Sequence, residues 1–123
     1  MKRQTRLLVV TGLWMWATAA WAHHSFAIFD FETKIEFEGV VESIKFRNPH
    51  IEMTITVTDA EGKESTVHFI EGPPANMLVR SGVVPDKMKP GSKLFTVGSP
   101  LLEDPQKYFM RAVRTADGTE YGM

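Results

Sequence analysis

The stretch Ile51-Glu-Met-Thr-Ile-Thr-Val-Thr58 is the clearest structural signal in the chain. Its odd-numbered positions are all apolar and its even-numbered positions are all Glu or Thr, which is the two-residue period of a half-buried β-strand. The turn sequence Asp59-Ala-Glu-Gly62 follows, and apolar and polar residues alternate again over 65–71. Together these segments predict a β-hairpin in the middle of the fold.

The segment before this hairpin, residues 35–46, predicts another strand, which ends at Asn48-Pro49. Its apolar positions are odd-numbered up to Gly39 and even-numbered after it. A change of face at a glycine favours a β-bulge or bend at that residue. His50 has the parity of the polar face at the start of the next strand.

Beyond the hairpin, residues 74–80 predict a short helix, because proline occupies the first turn and Gly82 provides a stop. Strands are predicted over 93–98 and 108–115. Five strands, the first of them kinked, with a helix between the third and fourth, predict an all-β fold. We interpret it as a small, five-stranded, OB-like, partly open barrel. A small β-sandwich is the competing architecture.

The first 22 residues have the pattern of a secretory signal peptide. A basic start is followed by an apolar stretch over residues 7–19 and by Ala20-Trp-Ala22, the small-x-small pattern that signal peptidase recognises. The apolar stretch is shorter than the roughly 20 residues that span a bilayer. We expect cleavage after Ala22, with Ala19 and Ala20 as alternatives. The general secretory route would then deliver residues 23–123 to the periplasm as a single OB-like domain without a stable membrane anchor.

Composition narrows the function classes. The chain has 14 basic and 15 acidic residues. Removal of Lys2, Arg3 and Arg6 with the leader leaves 11 basic against 15 acidic residues, a net charge of −4. An acidic domain is a poor partner for nucleic acid, whose binding depends on positive charge. The chain has no cysteine, which excludes disulfides and thiolate metal sites.

Short motifs along the chain are similar to those of a known family. They occur in this order: Ala22-His-His-Ser-Phe26, Glu38-Gly-Val-Val41, Asn48-Pro-His50, Glu71-Gly72 before a Pro-Ala-Asn-Met-Leu segment, Lys89-Pro-Gly91, and Ala116-Asp-Gly118. The chain thereby resembles the bacterial domain of unknown function 6152, a group of small exported proteins. The resemblance covers essentially all of residues 23–123. It implies export and a compact β domain, and it implies no established activity.

The histidines are the candidate metal ligands. If cleavage follows Ala22, the free amine and the imidazole of His23 can chelate one metal ion. A further imidazole from His24 or His50 would complete an all-nitrogen site, which suits Cu(II). The alternative, which we favour, is that the paired histidines are a mobile polar start and that His50 hydrogen-bonds backbone at the Asn-Pro turn. His68 is expected to face outward from its strand.

Enzymatic patterns are missing from the sequence. No serine lies in a nucleophile-elbow context, and no glycine-rich phosphate loop is present. We therefore expect a non-enzymatic periplasmic binding or accessory module that contacts an envelope protein or a small ligand. The alternative is a copper-binding protein that uses His23, His24 and His50.

Overall fold

The computed structural model of this protein describes residues 26–123. The predicted signal peptide and the two N-terminal histidines lie outside these residues, so the predictions made for them are not addressed by the structure. The elements are, in chain order, β1 (Ile35–Lys45), β2 (Glu52–Thr58), β3 (Glu64–Glu71), α1 (Ala75–Arg80), a 3-10 turn (Pro85–Lys87), β4 (Lys93–Pro100), β5 (Lys107–Thr115) and β6 (Glu120–Tyr121).

The strands form a closed barrel. β1 pairs in antiparallel fashion with β2 on one side and with β4 on the other, β2 continues to β3, and β4 continues to β5. A parallel pairing between β3 and β5, with Phe69 opposite Tyr108, closes the ring. The prediction of an all-β, five-stranded, OB-like barrel with a helix between β3 and β4 is confirmed, although the barrel is closed rather than partly open. The two-residue strand β6 pairs with the end of β5. Closure through β3 and β5 also separates this fold from the sandwich alternative.

The change of face in β1 occurs later than the sequence predicted. Val41 is buried and Val40 is 37% exposed, so the odd-numbered positions still face inward at residue 41. The register shift against β2 lies between Val41 and Ser43. The bulge predicted at Gly39 is therefore wrong. Gly39 is required for a different reason, because a Cβ there would lie 2.6 Å from the backbone oxygen of Thr56 on the adjacent strand.

The core fills the barrel interior and includes one face of α1. Its largest fully buried side chains are Phe69, Ile51, Met53, Ile55, Leu78, Met88, Leu94 and Met110. The inward positions of β2 are those that the alternation in residues 51–58 predicted. α1 begins after Pro74 and is followed by Gly82, which has a φ of 87°. This conformation is open to glycine and ends the helix as predicted.

The segment before β1 packs on the outside of the barrel. Phe29 forms a single β-bridge with Leu101, and Phe26, Phe29 and Phe31 all contact the ring of Phe109 on β5, with centroids 5.3–5.9 Å apart. Such tilted and edge-to-face contacts are favourable arrangements for aromatic rings. The chain therefore enters the described part of the molecule against β5. Within residues 26–123, no helix has the length and apolar character needed to cross a membrane.

Candidate functional site

A solvent-open cleft of about 450 Å³ lies between the β1–β2 loop and the end of β3. We call it the His50 cleft. Its lining residues are Arg47, Asn48, Pro49, His50, Ile51, Glu52, Ile70 and Glu71. Small-molecule sites in proteins typically occupy about 300–1,000 Å³, so the cleft is large enough for a small ligand.

The β1–β2 loop is tied to the segment that follows β3. The Asn48–Pro49 peptide bond is cis. The side-chain oxygen of Asn48 accepts a hydrogen bond of 3.1 Å from the backbone N–H of Asn76, and the carbonyl of Arg47 accepts one of 3.2 Å from Ala75. The first turn of α1 thus supplies donors that would otherwise lack intrahelical partners. The loop wall of the cleft is consequently fixed to a structured element.

His50 is the central polar residue of the cleft. Its Nδ1 lies 2.9 Å from the carbonyl oxygen of Gly72, and its Nε2 lies 3.2 Å from Oε1 of Glu71. Because a carbonyl oxygen only accepts, Nδ1 carries a proton and donates a hydrogen bond to the carbonyl of Gly72. The His50 side chain is 37% exposed and that of Glu71 is 15% exposed. The imidazole is therefore held between a backbone carbonyl at Nδ1 and a partly buried carboxylate at Nε2.

Gly72 has no room for a side chain. A Cβ at this position would lie 2.9 Å from Cγ1 of Ile51 and 3.3 Å from Cβ of Met110. The backbone of Gly72 therefore packs directly against the core. Its carbonyl is held in place to accept the hydrogen bond from Nδ1 of His50. The anchoring of His50 depends on this close approach.

Glu52 lies in the same cleft but contacts cations. Its Oε2 is 3.0 Å from Nζ of Lys45 and 3.5 Å from Nη2 of Arg47. All three side chains are well exposed, so these ion pairs contribute little to stability. The partners of Glu52 are therefore the exposed cations Lys45 and Arg47.

The predicted metal ligands have different positions. His50 lies in the cleft and hydrogen-bonds backbone, as the favoured alternative expected, although the acceptor is Gly72 rather than a residue of its own turn. His68 is exposed on β3. His23 and His24 precede the described residues, so a site that joins them to His50 stays a prediction. Within residues 26–123, no three His, Asp or Glu side chains are close enough to hold a metal ion together.

Glu71 is the functional candidate that the sequence analysis missed. The signal was present in the alternation of β3, where Val67 and Phe69 are buried and Glu71 has the same parity. A carboxylate at an inward-facing position, next to a glycine that breaks the strand, is unusual, since buried acids need a partner. His50, which is distant in sequence, supplies that partner.

A second cluster of charged residues lies at the β5–β6 turn. The hydroxyl of Thr115 and the backbone N–H of Thr119 donate hydrogen bonds of 2.6 and 3.0 Å to Oδ1 of Asp117, and the Lys87 ammonium is 3.0 Å from Oδ2. These donors hold the pKa of the Asp117 carboxyl well below its usual range. Every contact here closes a turn or ties it to the 3-10 segment, so we assign the cluster a structural role.

The fold and the His50 cleft together define a small OB-like barrel domain with a ligand-sized cleft at its β1–β2 loop. The chain belongs to the family of unknown function DUF6152, whose family model matches residues 12–107. The membership suggested by the motifs is thereby confirmed. No curated protein and no solved structure matches the chain significantly.

Proposed function

We propose that this protein is an exported, non-enzymatic binding or accessory module of the bacterial periplasm, and that the His50 cleft is its ligand site. The observation that carries the proposal is the position of the cleft. OB-fold barrels bind their ligands on the face of strands 2 and 3 and with the loop between strands 1 and 2. The cleft is built from that loop and from the end of β3.

The chemistry of the lining supports a small polar ligand or a partner side chain. Arg47 and Glu52 offer one charge of each sign, and Ile70 adds an apolar contact with 37% of its surface exposed. A few oriented polar groups beside apolar surface are typical of specific ligand sites. The cleft is thus suited to recognise a ligand that presents both kinds of group.

The contacts of His50 support the proposed non-catalytic role. The two ring nitrogens of His50 face a backbone carbonyl and a carboxylate. Neither group is a nucleophile that a histidine base could activate. Export rests on the N-terminal sequence pattern, and the net charge of −4 expected for residues 23–123 supports a partner other than nucleic acid.

The proposal is tested by nuclear magnetic resonance of the isotope-labelled protein, titrated with small-molecule extract of the periplasm. We expect amide shift changes confined to residues 47–52 and 70–71. The double variant Arg47→Ser/Ile70→Ser should lose them. Val79→Ser is the matched control, because Val79 is a comparably exposed apolar residue on α1, outside the cleft. Shifts that persist in the double variant, or an absence of shifts in the wild type, would contradict the proposal.

The second candidate function is a copper-binding protein that uses His23, His24 and His50. One observation favours it. Phe26 packs on Phe109, and Phe109 is the register partner of Glu71, whose carboxylate contacts His50. The described chain therefore begins near the β3–β5 seam that borders the His50 cleft. His24 precedes Phe26 by two residues, a reach of about 7 Å.

This alternative depends on the cleavage site. Mass spectrometry of the mature protein gives the first residue, and a start other than His23 removes the chelate of amine and imidazole. If the start is His23, Cu(II) titration followed by electron paramagnetic resonance should show several nitrogen ligands, and His23→Ala should abolish that signal. A spectrum that is unchanged in His23→Ala rejects the N-terminal site.

A further inference from the structure

His50 has the local arrangement of a metal-binding histidine. Metal-ligating imidazoles nearly always donate their other ring N–H to a backbone carbonyl or a carboxylate, which fixes the ring and the tautomer. Nδ1 of His50 donates to the carbonyl of Gly72 at 2.9 Å. Nε2 faces the Glu71 carboxylate, so a metal ion bound at Nε2 takes the place of the proton that an imidazolium would share with Glu71. The protein thus prepares one nitrogen donor at a fixed position.

A second donor faces that nitrogen at a suitable distance. Nε2 of His50 and Oε1 of Glu71 are 3.2 Å apart. An ion at 2.0–2.1 Å from an imidazole nitrogen and 2.0–2.2 Å from a carboxylate oxygen would subtend an angle of about 100° at that separation. This angle falls between the octahedral and tetrahedral values. The separation of the two atoms is therefore compatible with one shared ion.

Burial and access also favour a cation here. The Glu71 side chain is 15% exposed, and partial removal from water strengthens the attraction of a carboxylate for a positive charge. The cleft is open to solvent on the side of the β1–β2 loop, so an ion can enter with part of its water shell. Open coordination positions filled by water are common at metal sites that have fewer than four protein ligands.

We propose that Nε2 of His50 and the carboxylate of Glu71 bind one divalent transition-metal ion of the Zn²⁺ or Cu²⁺ type, with water completing the coordination. A site of one imidazole and one carboxylate suits these ions better than Ca²⁺ or Mg²⁺, which prefer oxygen ligands alone. The proposal rests on the assignment of the His50 cleft as the ligand site and gives a chemical class for its ligand. It differs from the copper candidate in using Glu71 and in needing neither N-terminal histidine.

Calorimetric titration of the secreted protein with Zn²⁺ tests the site. We expect saturable binding of one ion. His50→Gln and Glu71→Gln should each weaken it by about tenfold or more, since loss of an outer-sphere partner alone costs about 10–100-fold. His68→Gln is the matched control and should keep the wild-type affinity, because it removes an exposed histidine of β3 that does not line the cleft.

Further measurements distinguish failure of the His50–Glu71 metal site from failure of the proposed binding module. The His23→Ala/His24→Ala variant should retain saturable Zn²⁺ binding, and loss of binding there would overturn this proposal in favour of the N-terminal site. An absence of saturable binding in the wild type, or an unchanged affinity in a Glu71→Gln protein with a native amide spectrum, would also overturn it. The extract titration repeated with EDTA tests the binding module independently. Cleft shifts that survive chelation leave the module in place even if the metal site fails.

Discussion

The His50 cleft and the β5–β6 turn each place a carboxylate beside a side chain that can carry a positive charge. The contacts of the two carboxylates differ. At the turn, Asp117 accepts from Thr115, Thr119 and Lys87, all at 2.6–3.0 Å. In the cleft, Nε2 of His50 lies 3.2 Å from Oε1 of Glu71. At the turn, the Asp117 carboxylate accepts short hydrogen bonds from residues close in sequence. The contact in the cleft is longer and borders an open hollow, which is the region that we propose as the ligand site.

The largest expected effect is a loss of free energy of unfolding on substitution of Gly72 in the cleft. A substitution of Gly118 at the turn provides the comparison. Gly72→Val adds a side chain at a position where a Cβ would already lie 2.9 Å from Ile51. We expect a loss of about 3 kcal/mol from overpacking. Gly118→Ala places a Cβ in open space, but the residue has a φ of 86°. It should cost about 1 kcal/mol through backbone strain alone. Urea unfolding of both variants measures the difference, and equal losses would show that the backbone of Gly72 is not packed tightly against the core.

Acid should weaken the turn through Asp117. The pKa of Asp117 is lowered in the folded protein, so its contribution to stability is fully present above the unfolded value of about 3.9 and is lost as the pH falls below it. Asp117→Asn should unfold at a lower temperature than the wild type at pH 7, and the gap between the two should narrow as the pH falls below about 4. Thermal unfolding from neutral to acidic pH measures that gap. A gap that stays constant over this range would contradict the role of the carboxylate.

The smallest expected effects concern the two described histidines. His50→Gln loses the hydrogen bond to Gly72 and should cost about 0.5–1.5 kcal/mol. His68→Gln changes an exposed side chain and should stay within about 0.5 kcal/mol of the wild type. Thermal or urea unfolding of metal-free protein distinguishes them. If both variants were equally stable, the bond between Nδ1 and Gly72 would contribute nothing measurable, and the fixed orientation of His50 would be in doubt.

The elements that the sequence predicted well are those whose burial follows a local period. The alternation in residues 51–58, the Asp59–Gly62 turn and the helix before Gly82 each depend on residues close in sequence. The bulge in β1 lies between Val41 and Ser43, where the register against β2 shifts, and alternation along one strand does not encode this pairing between strands. The error of a few residues in the bulge position has this cause.

The sequence predicted only one of the two residues of the candidate site, because their contact also depends on pairing between strands. His50 attracted attention as a possible ligand from its residue type and its Asn-Pro context. Glu71 is separated from it by the whole β2–β3 hairpin, and only the finished register brings the two side chains together. Its inward parity on β3 was a sign that could have been used. The carbonyl of Gly72 that accepts from His50 belongs to the backbone, so the amino-acid type at this position does not indicate it.

The parallel seam between β3 and β5 has a consequence for the order of folding. It joins residues 68–71 to residues 107–109, roughly forty positions apart, whereas the β2–β3 hairpin closes over a short turn. Contacts between distant segments form late because the entropy of loop closure must be overcome first. Glu71 lies in that seam. Binding of the proposed ligand through the Glu71 carboxylate would therefore require the closed ring, and it would favour the completed barrel over partly assembled forms.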